Sequence, residues 1–209
     1  MEKKIITKTI EDSIVTAIEK ASTNLFGDID CVAKSLNDGN DVTDDGTKYW
    51  LDLALQDSYD YQTLTNKLTA EVIMPYVKEN GGTGNNANWN LSFNTKKVDI
   101  EFEAGEWNEP DPTRIEVERD IVDAIRKEST LFDVYGKVAV YLTSTGRIGT
   151  TPKHIIDSVR DCQANARRQF IALQDKISNE IIKPFLVEHP EYENKTWNLN
   201  YATGVISFT

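Results

Sequence analysis

The segment 38–46 holds the side chains best suited to bind a cation. Asp41, Thr43 and Asp45 stand at alternate positions, as the oxygen ligands of a calcium-binding loop do. The twelfth position of such a loop needs a bidentate glutamate, and here it is Asp52. Calcium binding and capping of the following helix both stay open, and we favour capping because carboxylates stabilise a helix N-terminus. We therefore predict no metal site.

The other residues that could do chemistry are isolated from one another. His154 and His189 are the two histidines of the chain, and neither stands beside a Cys/His cluster with a metal-ligating or catalytic spacing. The glycine-rich segment 81–86 lacks the Lys-Ser/Thr pair of a phosphate-binding loop, so a flexible connector is predicted there. We predict no catalytic residue and no cofactor, and hence a protein that is not an enzyme.

The charge balance argues against several classes of partner. The 209 residues include 23 Lys and Arg against 34 Asp and Glu, a formal net charge of -11. A surface of this sign repels phosphate backbones and anionic lipids. No apolar run reaches the roughly 20 residues of a membrane span, and the N-terminal residues lack an export signal. Cys31 and Cys162 are too far apart to form a spaced motif, so we expect buried, reduced thiols.

The dominant feature of the sequence is an internal repeat at an offset of about 108 residues. Residues 11–23 and 118–130 are identical at 8 of 13 positions. Two further blocks align in the same way: 61–76 with 170–185, and Trp89-Asn90-Leu91 with Trp197-Asn198-Leu199.

The repeat predicts a tandem duplication that covers nearly the whole chain. The boundary is placed in a segment that carries glycine, two prolines and several acids without an apolar period. The predicted division is a first repeat at 1–103, a linker at 104–112 and a second repeat at 113–209.

Each repeat is predicted to be mainly helical with a terminal β-hairpin, which is an α+β fold. The apolar stripe of residues 10–18 predicts a first amphipathic helix, which is expected to end near Gly27. In the second repeat the same helix is expected to end near Gly136. The stretch 137–143 is rich in β-branched residues, so a short strand or an irregular segment is predicted there.

A second, longer helix is predicted in each repeat. It begins after the capping Thr151, and at 43–45 in the first repeat. Its apolar stripe continues for about 30 residues until Pro184 or Pro75 ends or kinks the helix. The alternating residues of 197–208 then predict a hairpin. Each repeat is thus predicted to contain a helix, a linker, a long helix and a β-hairpin.

Three arginines of the second long helix form a candidate interface. Arg160, Arg167 and Arg168 are a dense cationic group in an otherwise acidic chain, and guanidinium groups match carboxylates in bidentate geometry. The alternative is a solvated helix face with intrahelical pairs such as Asp157 to Arg160.

Two tryptophans are the other candidate interface residues. Trp89 and Trp197 occupy equivalent positions in the two hairpins. We predict that they anchor equivalent sites where the hairpin meets the long helix or a neighbouring subunit.

Two motifs of the second repeat suggest a resemblance to a known family. The first is Ala164-Asn165-Ala166-Arg167-Arg168, which leads into the apolar-striped helix, and the second is the strand Trp197-Asn198-Leu199-Asn200. This combination resembles the head-to-tail connector (adaptor) proteins of short-tailed bacteriophages. The duplicated unit is also similar to the stacked ring proteins of larger short-tailed phages, including the crAss-like group. The first repeat differs from this family pattern, because it has Leu55-Gln56-Asp57-Ser58-Tyr59 in place of the Ala/Arg segment.

The resemblance implies a structural virion protein that is made in the host cytoplasm. Such a protein forms or joins an oligomeric ring in the phage neck or tail and connects the portal to the tail around the DNA channel. The implied partners are the portal protein, other neck and tail ring proteins and further copies of the chain, with no membrane. DNA would pass through the lumen without specific binding. The alternative function is a small phage-encoded binding or inhibitor protein that presents a hairpin to a host target.

Overall fold

The computed structural model describes residues 2–83, 87–107, 113–144, 151–201 and 203–208. These residues are mainly helical, with small antiparallel sheets, which confirms the α+β class. In chain order, the elements of the first half are β1 (Lys3–Thr9), α1 (Asp12–Asn37), α2 (Asp45–Leu68), the π-helical segment π1 (Thr69–Ile73), α3 (Met74–Glu79), β2 (Asn88–Ser92) and β3 (Lys97–Glu103). Those of the second half are β4 (Ile115–Glu116), α4 (Arg119–Ser144), α5 (Lys153–Ile177), the π-helical segment π2 (Ser178–Ile182), α6 (Lys183–Glu188), a 3-10 turn (Pro190–Tyr192), β5 (Trp197–Asn200) and β6 (Val205–Phe208).

The chain divides into two compact units whose bounds differ from those of the two sequence halves. Unit 1 consists of Met1–Asn24 and Asp57–Glu109, and unit 2 consists of Leu25–Gln56 and Pro110–Thr209. Helices α1 and α2 therefore each contribute residues to both units.

Unit 1 packs a three-stranded antiparallel sheet, in the order β1-β3-β2, against helical segments. The central strand β3 alternates buried Val98, Ile100 and Phe102 with exposed or half-buried polar residues. This period of two presents one apolar face, which the helices cover. The helical side of the core comes from Val15, Ile18, Leu68, Ile73 and Val77.

Unit 2 contains a core made by four helical segments. The 25–37 part of α1, the 45–56 part of α2, α4 and α5 all contribute buried apolar side chains to it. Their spacing of three and four residues is what an amphipathic helix needs to bury one stripe. The buried members are Leu25, Ile29, Val32, Ala33, Leu36, Leu51, Ala54, Val134, Val138, Leu142, Ile155 and Val159.

A second core of unit 2 lies under the other sheet, whose strand order is β4-β6-β5. Strand β6 supplies the buried Ile206 and Phe208, and Val122, Ile125 and Ile177 cover them from the helices. The predicted hairpin of the second half is therefore confirmed as β5 and β6, apart from Ala202 of its turn, which is outside the described residues.

The predicted ends of the first helix in each half are wrong. Helix α1 continues past Gly27 to Asn37, and α4 continues past Gly136 to Ser144. At Gly136, an added Cβ would lie 2.7 Å from Nε2 of Gln163. Gly136 therefore lies beside the Gln163 side chain of α5 and does not terminate the helix.

The predicted strand or irregular segment at 137–143 is also wrong, because these residues belong to α4. Val134, Val138 and Leu142 are fully buried at a spacing of four. Burial of that stripe in the four-helix core outweighs the β propensity of the branched residues, which is a weak and context-dependent preference.

Neither Pro75 nor Pro184 ends its helix. Each follows a five-residue π-helical segment, and a six-residue α-helix continues beyond it. At the end of each π-helical segment, a backbone hydrogen bond joins residues five positions apart. Met74 N–H donates to Thr69 C=O in π1, and Lys183 N–H donates to Ser178 C=O in π2. The wider turn accommodates the proline ring, which would clash with the carbonyl four residues earlier in a regular helix.

Each half begins with a strand that the predicted order of elements lacks. Strand β1 pairs with β3 along seven residues, and the two-residue β4 pairs with β6. A short segment with three lysines gives little apolar alternation, so β1 is specified by the partner strand rather than by its own pattern.

Two predicted connecting segments form backbone hydrogen bonds where they are described. In the glycine-rich segment, Gly82 N–H donates to Val77 C=O (2.9 Å), and Thr83 N–H donates to Glu103 C=O (3.0 Å). In the predicted linker, Ala104 N–H donates to Glu2 C=O (2.9 Å). Residues 84–86 and 108–112 of these predictions are outside the described residues, as are 145–150 before the second long helix of the second half.

Candidate interaction surface

The arginines of α5 form an exposed cationic face, which we call the arginine face: Arg160, Arg167 and Arg168. All three side chains are exposed. Arg167 follows Arg160 by two helical turns, and Ile171 lies one turn further along the same stripe, 45% exposed. The buried residues of α5, such as Val159 and Ala166, face the cores instead.

Within the described residues, no carboxylate forms an ion pair with the arginine face. Lys153 pairs with Asp157, and the described residues show no ion pair from Asp157 to Arg160. The three guanidinium groups therefore keep their donors available for a partner. The exposure of the three arginines agrees equally with the alternative interpretation, a solvated helix face.

A groove lined by exposed aromatic and aliphatic residues is the second surface feature of unit 2. It has a volume of about 470 Å³ and lies among α1, α4 and α5. Phe26 is 52% exposed, Phe132 38% and Val140 62%, and all three line it. No local sequence pattern marks this groove, because residues from α1 and α4 come together only in the folded unit. Exposed apolar groups gathered in one place are typical of interaction sites.

The two predicted tryptophan anchors lie at equivalent places on the helix side of their sheets. Trp89 of β2 is opposite Ile100 and packs against the core of unit 1. Its indole N–H donates to the hydroxyl of Thr69 (3.1 Å), which connects the strand to π1. Trp197 of β5 is opposite Phe208 and packs against the sheet core of unit 2. Both side chains are half-buried.

The acidic segment before α2 uses its carboxylates for local hydrogen bonds. Asp41 accepts from the backbone N–H (3.0 Å) and hydroxyl (3.1 Å) of Thr43, and Asp44 accepts from the backbone N–H of Asp41 (2.6 Å). Among the described residues, no group of three or more His, Cys, Asp or Glu side chains could hold a metal ion.

The predicted cap of the second long helix in the second half is not formed by its threonine. Helix α5 begins at Lys153 without a side-chain cap, and the hydroxyl of the buried Thr151 donates to Oδ1 of Asn37. This bond attaches the start of α5 to the end of α1 within unit 2.

The two cysteines are free and half-buried, so the expectation of buried thiols is only partly correct. Burial raises the pKa of the Cys162 thiol and is the largest cause of the shift. Burial also raises the pKa of Tyr135, which interacts with Cys162, to about 12. A thiol with a raised pKa is a poor nucleophile at neutral pH, because the thiolate is the reactive form.

The two histidines occupy separate surface positions. His189 stacks on the ring of Phe185, with 4.4 Å between centroids, and its Nδ1 lies 3.4 Å from Oε1 of Glu191. His154 lines a polar surface groove of α5 together with Asp157 and Cys162.

No family model, curated protein or solved structure matches this chain. Across the described residues, none of the helices combines the length and apolar content that a membrane crossing requires.

Proposed function

We propose that this chain is a structural virion protein that forms or joins an oligomeric ring in the neck or tail of a short-tailed phage. In this role it connects the portal to the tail around the DNA channel, and its partners are the portal protein, other ring proteins and further copies of itself. The arginine face of α5 is the observation that carries the proposal.

The arginine face has the properties of a docking surface. Arg160 and Arg167 are exposed and unpaired within the described residues, and Ile171 adds an apolar group to the same stripe. Both arginines lie on a helix whose neighbouring stripe, including Ile155 and Val159, is buried in a core of unit 2, so the face is presented by a packed element. Arginine is the residue best suited to bind carboxylates with defined geometry.

The proposal includes a tandem duplication of the chain. Three observations support it: α1 and α4 have 26 residues each, π1 and π2 have five each, and α3 and α6 have six each. Equivalent positions also share burial, as in the pairs Leu68 and Ile177, and Ile73 and Ile182. A duplicated unit gives one chain two related sheets with which to contact neighbours.

The net charge of -11 suits a protein that surrounds moving DNA. An acidic surface does not collect the phosphate contacts that hold most DNA-binding proteins on the duplex. DNA would therefore pass such a lumen without specific binding.

A charge reversal at the arginine face tests the proposal. The double variant Arg160→Glu with Arg167→Glu should weaken docking on the portal or on a neighbouring ring by more than tenfold, which corresponds to about 1.4 kcal/mol. The matched control is Lys20→Glu with Lys127→Glu, which changes the net charge by the same amount at two exposed lysines outside the arginine face. Equal losses in both variants would indicate a general charge effect and contradict the assignment of the face.

The second candidate function is a phage-encoded binding or inhibitor protein. Open edge strands favour it, because an extended peptide of a host target could add to a sheet. Light scattering of the purified chain, alone and with portal protein, separates the two functions. A ring oligomer or a portal complex supports the virion role, whereas a monomer that binds only a host protein supports the alternative.

A further inference from the structure

Two of the four outer strands in the described sheets are unprotected against pairing with another chain. The strand orders β1-β3-β2 and β4-β6-β5 place β1, β2, β4 and β5 at the edges. Natural edge strands are usually blocked by lysine, proline or shortness, because their unpaired backbone groups attract other strands.

The β1 and β4 edges have these protective features. Strand β1 contains Lys3, Lys4 and Lys8, and β4 has only two residues. Lys8 extends over the ring of Tyr76, with its Nζ 4.1 Å from the centroid, which places a charge on the side of the sheet that faces the core. A second strand cannot lie along β1 without burying lysine ammonium groups.

The β2 and β5 edges lack every one of these features. Neither strand contains a charged residue or a proline, and they have five and four residues. Both repeat one pattern, in which asparagines point to solvent and a tryptophan and a leucine face the core. The same unprotected edge thus occurs once in each half of the chain.

We propose that β2 of one copy pairs antiparallel with β5 of the next copy, so that the two sheets join into one six-stranded sheet across the interface. The inference rests on the proposed ring, because a ring needs a heterologous contact between two different surfaces of the same chain. Each copy carries one β2 and one β5, so a single type of contact can repeat around the ring.

One register makes the two edges complementary on both faces. Asn90 is then opposite Asn198, so that amide faces amide on the solvent side, and Asn88 is opposite Asn200, whose Oδ1 already accepts from Thr203 N–H (3.1 Å). On the core side, Trp89 is opposite Leu199 and Leu91 is opposite Trp197. Aromatic and branched side chains in cross-strand pairs stabilise a sheet, and paired amides can hydrogen bond to each other. A shift by one residue would place asparagine beside the apolar face.

The hairpin geometry indicates which positions approach most closely across this interface. The carbonyl of Asn200 accepts from Gly204 N–H (2.8 Å) and therefore points toward β6. Because backbone groups alternate along a strand, those of Leu199 and Trp197 point to the open edge. Asn90 and Asn198 then form a pair without mutual backbone hydrogen bonds, the type in which side chains are closest.

Disulfide trapping at this pair tests the inference. Asn90→Cys and Asn198→Cys are made separately in a background with Cys31→Ser and Cys162→Ser, then oxidised alone and as a mixture. We expect a covalent dimer in the mixture and little in either variant alone. Efficient dimers of one variant alone would show β2 with β2 or β5 with β5 and overturn the inference, as would no dimer in the mixture.

Lysine substitutions provide a second readout that does not depend on oxidation. Asn90→Lys and Asn198→Lys should each weaken assembly by at least tenfold, whereas Asn90→Glu combined with Asn198→Lys in one chain should restore it. Ile5→Lys is the matched control, since Ile5 is 72% exposed on the protected edge of the same sheet. Failure to restore assembly, or an equal loss in the control, would contradict the proposed pairing.

Light scattering of the unmodified chain distinguishes failure of the inference from failure of the ring. Oligomers that form without the cross-link and tolerate both lysines would leave the ring function standing and remove the strand pairing. A chain that stays monomeric alone and with portal protein would remove both.

Discussion

The indole N–H of Trp89 donates to the hydroxyl of Thr69 across 3.1 Å, and this bond joins strand β2 to the π-helical segment π1. The two residues are 20 positions apart in the sequence, one in a β-strand and the other in a helical segment. The bond fixes the position of the β2 edge relative to the core beneath it.

Removal of this hydrogen bond should destabilise unit 1 modestly. Thr69→Val keeps the branched shape but loses the acceptor, so we expect a loss of about 1 kcal/mol in the free energy of unfolding. Trp89→Phe removes the same hydrogen bond and also leaves a smaller ring to pack, so its loss in the free energy of unfolding should be somewhat larger. In a double-mutant cycle by urea denaturation, the two changes should be less than additive. Thr23→Val, at an exposed position of α1, is the control and should change stability little.

Gly82 is the glycine that the core of unit 1 requires. An added Cβ would overlap Val77 Cγ1 and lie 2.7 Å from Cδ2 of Phe102, both core side chains. We expect Gly82→Ala to lower the free energy of unfolding by about 1 to 3 kcal/mol through overpacking. Gly27→Ala is the matched control, because nothing lies within 4 Å of its added Cβ. It should stabilise the helix by roughly 0.5 to 1 kcal/mol. Equal effects in thermal melts would contradict the packing argument.

Stability should depend on Tyr135 at alkaline pH. Burial raises the pKa of its hydroxyl from 10.0 to about 12, so the folded state holds this proton more tightly than the unfolded state. Its contribution is therefore complete below pH 10.0 and is lost as the pH rises from there to about 12. The variant Tyr135→Phe has no ionisable hydroxyl, so this titration does not affect its stability. Between pH 10.0 and about 12, wild type should therefore lose stability relative to the variant. A constant difference in melting temperature would contradict the prediction.

The groove of unit 2 should be accessible to an apolar probe. Val140→Gln and Phe26→Gln alter largely exposed side chains, so we expect unfolding free energies within about 0.5 kcal/mol of wild type. The same variants should reduce binding of the dye ANS, because they make the groove polar. Tyr49→Gln is the control, since Tyr49 is equally exposed but lies outside the groove. A similar reduction in the control would show that the groove is not the binding site.

The sequence by itself determined the class of fold and the position of its most regular parts. The stripe through Val15 and Ile18, its counterpart Val122 and Ile125, and the strand pattern around Trp197 are local periodicities, and local spacing is enough to predict them. The exposure of the arginine face also agrees with that spacing, because Arg160 and Arg167 each follow a buried residue of α5 and lie about 100° around the helix from the buried stripe.

Only the tertiary structure decided where elements end, which edges stay open and which surfaces combine. Helix α4 continues through Gly136 because Val134, Val138 and Leu142 are buried in the four-helix core, and Pro184 is tolerated because π2 widens the preceding turn. The groove needs Phe26 and Phe132 from helices distant in sequence. Strand β1 exists because β3 offers it a partner. Each of these outcomes depends on contacts between distant segments, and no local pattern of side chains encodes such contacts.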